Sequence, residues 1–362
     1  MTPELLFHVL LALAVVVVAG RVLGVLVARI GQPPVIGEVL AGILLGPSLL
    51  GLIWPEAGAW LFPETVKPAL GAIAHVGVVV YMFLVGLEFD TGLLRGRAAS
   101  LFVTSQASIA APFALGCALA AALYGSSAPP GVSRTVFAMF MGVAMSITAF
   151  PVLARILADR NLTRTELGVS ALTCAAINDV MAWCLLAIVV GLSRAMPATG
   201  VPGELVIAFA AGAIVPARSA FARTAGRWLH GIVTILLLPA FFALTGLRTE
   251  ITLVSTPADW LTCAGIVAVA TAGKFGGAAL AGRASGMSWR FAARLGALMN
   301  TRGLMELIVL TVGLQAGLIT PRLFTMMVIM ALVTTAMTTP LLDLVRPDRR
   351  EQEQHAERRA HT

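Results

Sequence analysis

The sequence predicts an all-α, polytopic membrane protein with about 11 transmembrane segments, and three observations carry that expectation. First, 58% of the 362 residues are hydrophobic and only 12% are charged, with a mean hydropathy of +0.91, more apolar surface than a soluble chain of this length hides in a core. Second, the apolar residues come in uninterrupted runs, and about 20 residues at about 1.5 Å each cross the hydrocarbon of a bilayer. Third, arginines collect at alternate ends of successive runs, as the positive-inside rule requires. The formal charge of +7 therefore reads as topology; the basic residues lie in short loops and in the tail, and no nucleic-acid partner is expected.

Taken in order, the runs are 5 to 28, 35 to 52, 68 to 88, 98 to 124, 132 to 158, 165 to 193, a short one at 204 to 217, then 229 to 247, 258 to 281, 292 to 317 and 321 to 345. Glu4 precedes the first run where a signal peptide would carry positive charge, so that run is expected to stay in the mature chain. Arg29, Arg95 and Arg97, Arg155, Arg160 and Arg164, Arg218, Arg223 and Arg227, Arg283 and Arg290, and the tail from Arg346 to Arg359 mark one side. Lys67, Arg194 and Arg248 are the modest exceptions on the other. The N-terminus is thus expected outside and the C-terminus in the cytoplasm, with Arg346 to Thr362 a solvated polar tail. Cys117, Cys174, Cys184 and Cys263 all fall inside apolar runs without CxxC spacing, which reads as packing rather than a zinc site or a disulfide framework.

The chain also resembles itself. Met82 to Asp90 (MFLVGLEFD) resembles Phe241 to Glu250, and Ala41 to Pro47 (AGILLGP) weakly resembles Ala211 to Pro216. AMSITAFPVLARIL from Ala144 corresponds to ALMNTRGLMELIVL from Ala297. Equivalent segments lie an odd number apart, so the two copies run in opposite senses: an inverted repeat, with residues 1–193 as the first copy, 194–203 a short connection, 204–345 the second copy and 346–362 the tail.

The last pair carries helix-breaking chemistry inside apolar runs: Ser146, Thr148 and Pro151 in one, Asn300, Thr301, Arg302 and Gly303 in the other. Proline removes a backbone donor and glycine loosens the helix, so each segment is expected to be interrupted near its middle, with its free backbone groups facing an ion. An ordinary proline kink in each helix is the plainer alternative.

Leu167 to Leu192 holds a single charge, Asp179, next to Asn178. An ionised side chain near the bilayer midplane is costly unless it has a partner or a water-filled cavity, so it marks a functional site by default. A proton and a monovalent cation would compete for this one carboxylate; the alternative is that Asp179 only pins two helices by ion pairing. Lys274, flanked by Gly273, Gly276 and Gly277, either pairs with an acid, titrates, or snorkels to the interface. Arg302 and Glu306, four apart, form either a self-neutralising pair or a fixed positive charge that compensates half-helix ends. Glu88, Asp90 and Glu250 sit at segment ends and read as boundary residues.

Six stretches together resemble the second monovalent cation:proton antiporter family: GQPPVIGEVLAGILLGPSLLG from Gly31, FLVGLEFD from Phe83, SITAFPVLARIL from Ser146, AAINDVMAW from Ala175, LPAFFALTGLRTEI from Leu238 and MNTRGLMELIVL from Met299. Asn-Asp followed by Ala-Trp is most like the plant-type exchangers. The resemblance implies an antiporter fold with two crossing discontinuous helices, exchange of K+ or Na+ for H+ across a bacterial inner membrane, and a homodimer in the lipid bilayer whose core moves like an elevator. It implies that Asp179 is the ion- and proton-binding carboxylate, that Asn178 stands where some electrogenic members carry a second aspartate, that Lys274 is the basic residue of the core helix, and that the segments with Pro151 and with Asn300, Thr301 and Gly303 are the crossed, unwound helices. From the residues themselves, Asn178, Ser146 and Thr148 join Asp179 as candidate cation- or proton-binding groups, and Arg302 and Glu306 join Lys274 as candidates for charge compensation. No cofactor and no resident metal are implied. Two segments of the family's usual set are absent between the aspartate helix and the run resembling Ala211 to Pro216, which leaves two further readings: a channel-like or sensing protein without coupled exchange, and an inactive shortened paralogue. No phosphate loop, dinucleotide fingerprint or nucleophile triad points to an enzyme.

Overall fold

The computed structural model describes residues 3–88, 98–163, 165–193, 201–215, 219, 224, 226, 228–229 and 231–345. Every regular element among them is helical. In chain order these are α1 (Pro3–Arg29), α2 (Pro34–Leu45), α3 (Leu50–Ile53), α4 (Pro55–Leu61), α5 (Lys67–Glu88), α6 (Ala98–Ser127), α7 (Arg134–Ser146), α8 (Phe150–Asp159), α9 (Glu166–Ser193), α10 (Val201–Ile214), α11 (Leu238–Leu247), α12 (Pro257–Thr271), α13 (Gly277–Ala284), α14 (Trp289–Met299), α15 (Leu304–Gln315) and α16 (Pro321–Leu344). One π-helical turn, Val233–Leu237, leads into α11, and a second, Ala272–Gly276, joins α12 to α13.

Nine stretches among the described residues are long and apolar enough to cross a membrane. The expected count of eleven is not reproduced: the run 292 to 317 is divided into two short helices, α14 and α15, and the run 204 to 217 is the 14-residue α10. The protein is a multi-pass membrane protein. Asp90, Arg95, Arg97, Arg164, Arg194, Arg218, Arg223, Arg227 and the tail from Arg346 lie outside the described residues, as does the side chain of Glu88.

Contacts divide the chain into two compact units that interleave along the sequence. The first comprises residues 1–91, 194–259 and 321–325 and holds α1 to α5, α10 and α11. Its helices meet through glycine. A Cβ on Gly42 of α2 would lie 2.0 Å from the Ala243 carbonyl oxygen of α11, and one on Gly246 would lie 2.3 Å from the Val39 oxygen. The same contact recurs between α10 and α5, where a Cβ on Gly212 would lie 2.1 Å from the Phe83 oxygen and 3.0 Å from the Gly86 Cα. Ala243 stands three residues before Gly246 and Phe83 three before Gly86, so the two contacts share one register. Each pairs a helix carrying Ala-Gly, Ala41-Gly42 or Ala211-Gly212, with a helix carrying Gly-Leu, Gly246-Leu247 or Gly86-Leu87, drawn from the other half of the sequence. Without side chains in the way the backbones close up, and packing stands in for the hydrophobic drive that lipid does not supply.

The second unit comprises residues 92–193, 260–320 and 326–362, with α6 packed on α7, α9 and α13, and α9 on α7, α8 and α14. Leu153, Leu157, Leu167, Ala171, Leu295 and Leu298 make one apolar core there. Both interrupted segments begin alike. Gly131 and Gly286 take positive φ of 86° and 88°, reachable by glycine at no steric cost. Two residues on, Ser133 and Ser288 cap α7 and α14 by accepting from the backbone N–H groups of Val136 and Phe291 at 3.3 and 3.1 Å.

Candidate ion site

Both interruptions occur where the sequence places them. α7 stops at Ser146 and α8 starts at Phe150, with Pro151 in the first turn, where its missing N–H costs nothing. α14 stops at Met299 and α15 starts at Leu304. These are full breaks, not kinks, and they meet: the Ala149 N–H donates to the Thr301 carbonyl at 3.0 Å, and Thr148 Oγ1 donates to the Met299 carbonyl at 3.1 Å. Gly303 allows the approach, since a Cβ there would lie 2.7 Å from Val152 Cγ2 of α8.

Non-helical backbone at this depth needs internal partners. The second break finds them on α16, whose Thr335 Oγ1 accepts from the Arg302 N–H at 3.0 Å and donates to the Arg302 carbonyl at 2.7 Å. Thr301 Oγ1 donates to the Leu298 carbonyl at 2.7 Å, and Asn300 Nδ2 donates to the Thr334 carbonyl at 3.4 Å. The threonines of α16 were not among the expected site residues, although TTAMTT from Thr334 is a hydroxyl cluster in an apolar run and could have been read as such.

Arg302, fully buried, combines the two roles left open by the sequence. Its Nη1 donates to the Ala144 carbonyl and to Glu306 Oε2, each at 3.1 Å, and its Nη2 donates to the Met145 carbonyl at 2.7 Å. One guanidinium thus caps the negative C-terminal end of α7 and pairs with an acid in the first turn of α15, where negative charge is favoured. Ser146 stays with its own helix end: its Oγ lies 2.6 Å from the Gly142 carbonyl and 3.2 Å from the Ile109 carbonyl of α6.

Asn178 and Asp179 lie midway along α9. The Asn178 amide orients itself by its neighbours: one end lies 3.2 Å from both the Cys174 and Ser105 carbonyl oxygens, which only accept, and 2.7 Å from Ser105 Oγ, so that end is the nitrogen. The other end lies 3.2 Å from Lys274 Nζ, which only donates, 2.9 Å from Ser108 Oγ and 3.2 Å from Thr148 Oγ1, so it is the oxygen. Lys274 also donates to the Ser108 carbonyl at 3.1 Å. It is fully buried, which rules out snorkelling to an interface. Ser105 and Ser108 were likewise not singled out in the sequence; the signal was there in Thr104, Ser105 and Ser108, three hydroxyls close together on an apolar helix.

Asp179 differs from all of these. It is 2% exposed, and among the described residues neither carboxylate oxygen has a hydrogen-bond partner. The reading in which it pins two helices by an ion pair therefore has no pair behind it. What remains is a buried carboxyl group on a helix packed against α7 and α8, an arrangement that can take up one positive charge or one proton. Among the described residues no group of His, Cys, Asp and Glu could hold a resident metal ion, and the four cysteines are free.

The family described as "Sodium/hydrogen exchanger, transmembrane" matches residues 11–207 and 198–344. The chain is 39% identical to the Na(+)/H(+) antiporter NhaS4 of Synechocystis, over 96% of this chain and 99% of that protein. That alignment runs over 406 residues, more than this chain contains, so it opens gaps on this side. The chain is 34% identical to Cation/H(+) antiporter 18 of Arabidopsis thaliana, over 94% of its own length and 49% of that protein, and 32% identical to K(+)/H(+) antiporter 1 of Saccharomyces cerevisiae, over 88% and 44%. It thus spans nearly all of the cyanobacterial relative and about half of the plant and yeast ones. The fold is shared with the sodium proton antiporter MjNhaP1 from Methanocaldococcus jannaschii at pH 8, with a TM-score of 0.62 and 14% identity over 94% of this chain and 96% of the other. The breaks, the buried aspartate and these likenesses agree, and the chain belongs to the sodium/hydrogen exchanger family.

Proposed function

We propose that this protein is a secondary antiporter that exchanges a monovalent cation, K+ or Na+, for H+ through Asp179 by alternating access. The observation that carries the reading is the Asp179 carboxylate, buried with both oxygens free of partners. Either a proton bonds to one oxygen or a cation coordinates both, and the two exclude each other. The loaded forms carry the same charge, so a one-for-one, electroneutral cycle follows if only loaded sites cross. Asn178 and Thr148 border the carboxylate's helix turn and the first break, and Ser146 holds the α7 end from which carbonyls become available. Arg302 with Glu306 keeps the crossing neutral overall, and Lys274 supplies the second buried cation. By the arginine pattern the N-terminus lies outside and the C-terminus in the cytoplasm of a bacterial inner membrane, and the working form is a homodimer.

The relatives are named for Na(+)/H(+), K(+)/H(+) and cation/H(+) antiport, which supports the chemistry class. A second reading, a shortened chain that folds without transporting, draws on the gapped alignment to the cyanobacterial relative. Both are separated by cation-induced proton flux in proteoliposomes with an internal pH dye, adding sodium, potassium or lithium to wild type and Asp179→Asn. Flux in the wild type alone establishes exchange through Asp179 and identifies the ion. Downhill cation flux without proton movement would mean a channel-like protein, and a folded but silent wild type would mean an inactive one.

A further inference from the structure

Lys274 is held by an acceptor that a proline creates. α6 runs from Ala98 to Ser127 with Pro112 inside it. Proline has no N–H to donate to the carbonyl four residues earlier, and its ring pushes that carbonyl out of line. Four residues before Pro112 stands Ser108. Its carbonyl is the one that Lys274 Nζ reaches, at 3.1 Å. A helix without the proline would have spent this oxygen on its own backbone.

The sequence around Lys274 is shaped for the same approach. A Cβ on Gly273 would lie 2.8 Å from Pro112 Cα, and one on Gly277 would lie 2.8 Å from Ala111 Cβ and 3.0 Å from the Ala107 carbonyl oxygen. The lysine-bearing segment therefore rests directly on the turn of α6 that the proline disturbs. Within it, Lys274 lies in the π-helical turn Ala272–Gly276, the kind of local widening found often at functional sites. The Asn178 amide oxygen, 3.2 Å from Nζ, completes the berth. Both acceptors are neutral.

Resting on the reading of Asp179 as the exchange carboxylate, we propose that Pro112 is a positioning residue of the ion site: by freeing the Ser108 carbonyl it gives Lys274 a neutral berth and keeps the ammonium from occupying Asp179. A buried ammonium needs acceptors, and the acids whose charge reaches Lys274 are Glu306, already paired with Arg302, and Asp179, the one that the transported cation uses. With the berth in place both Asp179 oxygens stay free. Removing it turns Lys274 into a tethered competitor.

The test is Pro112→Ala, which returns the missing N–H to the Ser108 carbonyl, measured alone and with Lys274→Met in proteoliposomes for cation KM and maximal rate, and in detergent for melting temperature. Pro112→Ala is expected to raise the cation KM about tenfold, as loss of one hydrogen bond to a charged group allows, with the loss falling mainly on KM. The double variant should match Lys274→Met alone, because no ammonium remains to misplace. An unchanged KM in Pro112→Ala overturns the proposal, as does an equal KM effect in the Lys274→Met background, which would mean the proline acts through helix shape. Gly273→Ala, which keeps the proline and lifts the lysine helix off it, is the second probe and should raise KM likewise. The melting temperatures read the berth whether or not ions move: non-additive shifts for Pro112→Ala and Lys274→Met in a protein without flux would sink the exchange reading and keep the berth, and additive shifts would sink the berth.

Discussion

The Ala149 N–H donates to the Thr301 carbonyl at 3.0 Å, so the interruptions in two segments far apart in sequence form one joint. The Thr148 hydroxyl adds a second bond across it, to the Met299 carbonyl at 3.1 Å. Thr148→Val keeps the shape and leaves that buried carbonyl unpaired, which should cost about 1–3 kcal/mol. Thr148→Ser should retain most of the stability. Thermal unfolding in detergent compares the two, and equal melting temperatures for the valine and serine variants would show that the hydroxyl bond contributes nothing.

Competition at Asp179 fixes the direction of the pH dependence. Lowering pH adds the proton, which excludes the cation, so the apparent cation KM should rise as pH falls, by about tenfold per unit once the protonated form dominates. It should level off at high pH, where the carboxylate is free. Initial rates of flux over a grid of pH and cation concentration measure this, and a pH-independent KM would mean that proton and cation do not share the carboxylate. Asp179→Glu, which keeps the charge and moves it by one methylene, should retain measurable but weaker exchange.

Arg302 and Glu306 are both fully buried and paired at 3.1 Å. Arg302→Met strands the Glu306 carboxylate and uncaps the Ala144 and Met145 carbonyls, so a loss of about 3–5 kcal/mol is expected. Adding Glu306→Gln should recover part of it, since the stranded charge is gone while the uncapped carbonyls remain. A double-mutant cycle on unfolding free energies checks this. If Arg302→Met and the double variant melt alike, the guanidinium acts on the α7 end only.

The glycine contacts make the last prediction. Gly246→Ala and Gly212→Ala each place a methyl within 2.3 and 2.1 Å of backbone oxygen, and backbone cannot rotate away as a side chain can. Each should destabilise by about 1–3 kcal/mol or more. Gly125→Ala, with nothing within 4 Å, should be neutral or better, because alanine favours the helix. Yield of folded protein and melting temperature report both, and a tolerant Gly246→Ala would mean that α2 and α11 are not held at this distance.

Much of the site was legible in the sequence because the bilayer makes polarity rare. Asp179, Asn178 and the two breaks stand out from apolar runs, and so do Pro151 and Gly303. What stayed hidden is which residue faces which. The hydroxyls of Ser105 and Ser108 meet Asn178, and that of Thr335 meets the Arg302 backbone, through the rotation of each helix about its axis, and a residue advances about 100° around that axis, so an error of one position moves a hydroxyl off the contact. The partner of Lys274 was harder still, since it is a main-chain oxygen and any residue has one. Only Pro112 marked which oxygen would be free. For Arg302 the sequence offered two roles, and a planar fork with several donors can fill both at once.

The paired contacts Gly42 with Ala243 and Gly212 with Phe83 also bear on how the protein is made. Each joins a helix synthesised early to one synthesised late, so neither half of the first unit can close by itself. α2 must wait for α11, roughly two hundred residues later, and at about 5–20 residues per second that is a delay of about 10–40 s. During that interval the Gly42 face of α2 stands without the helix it closes against.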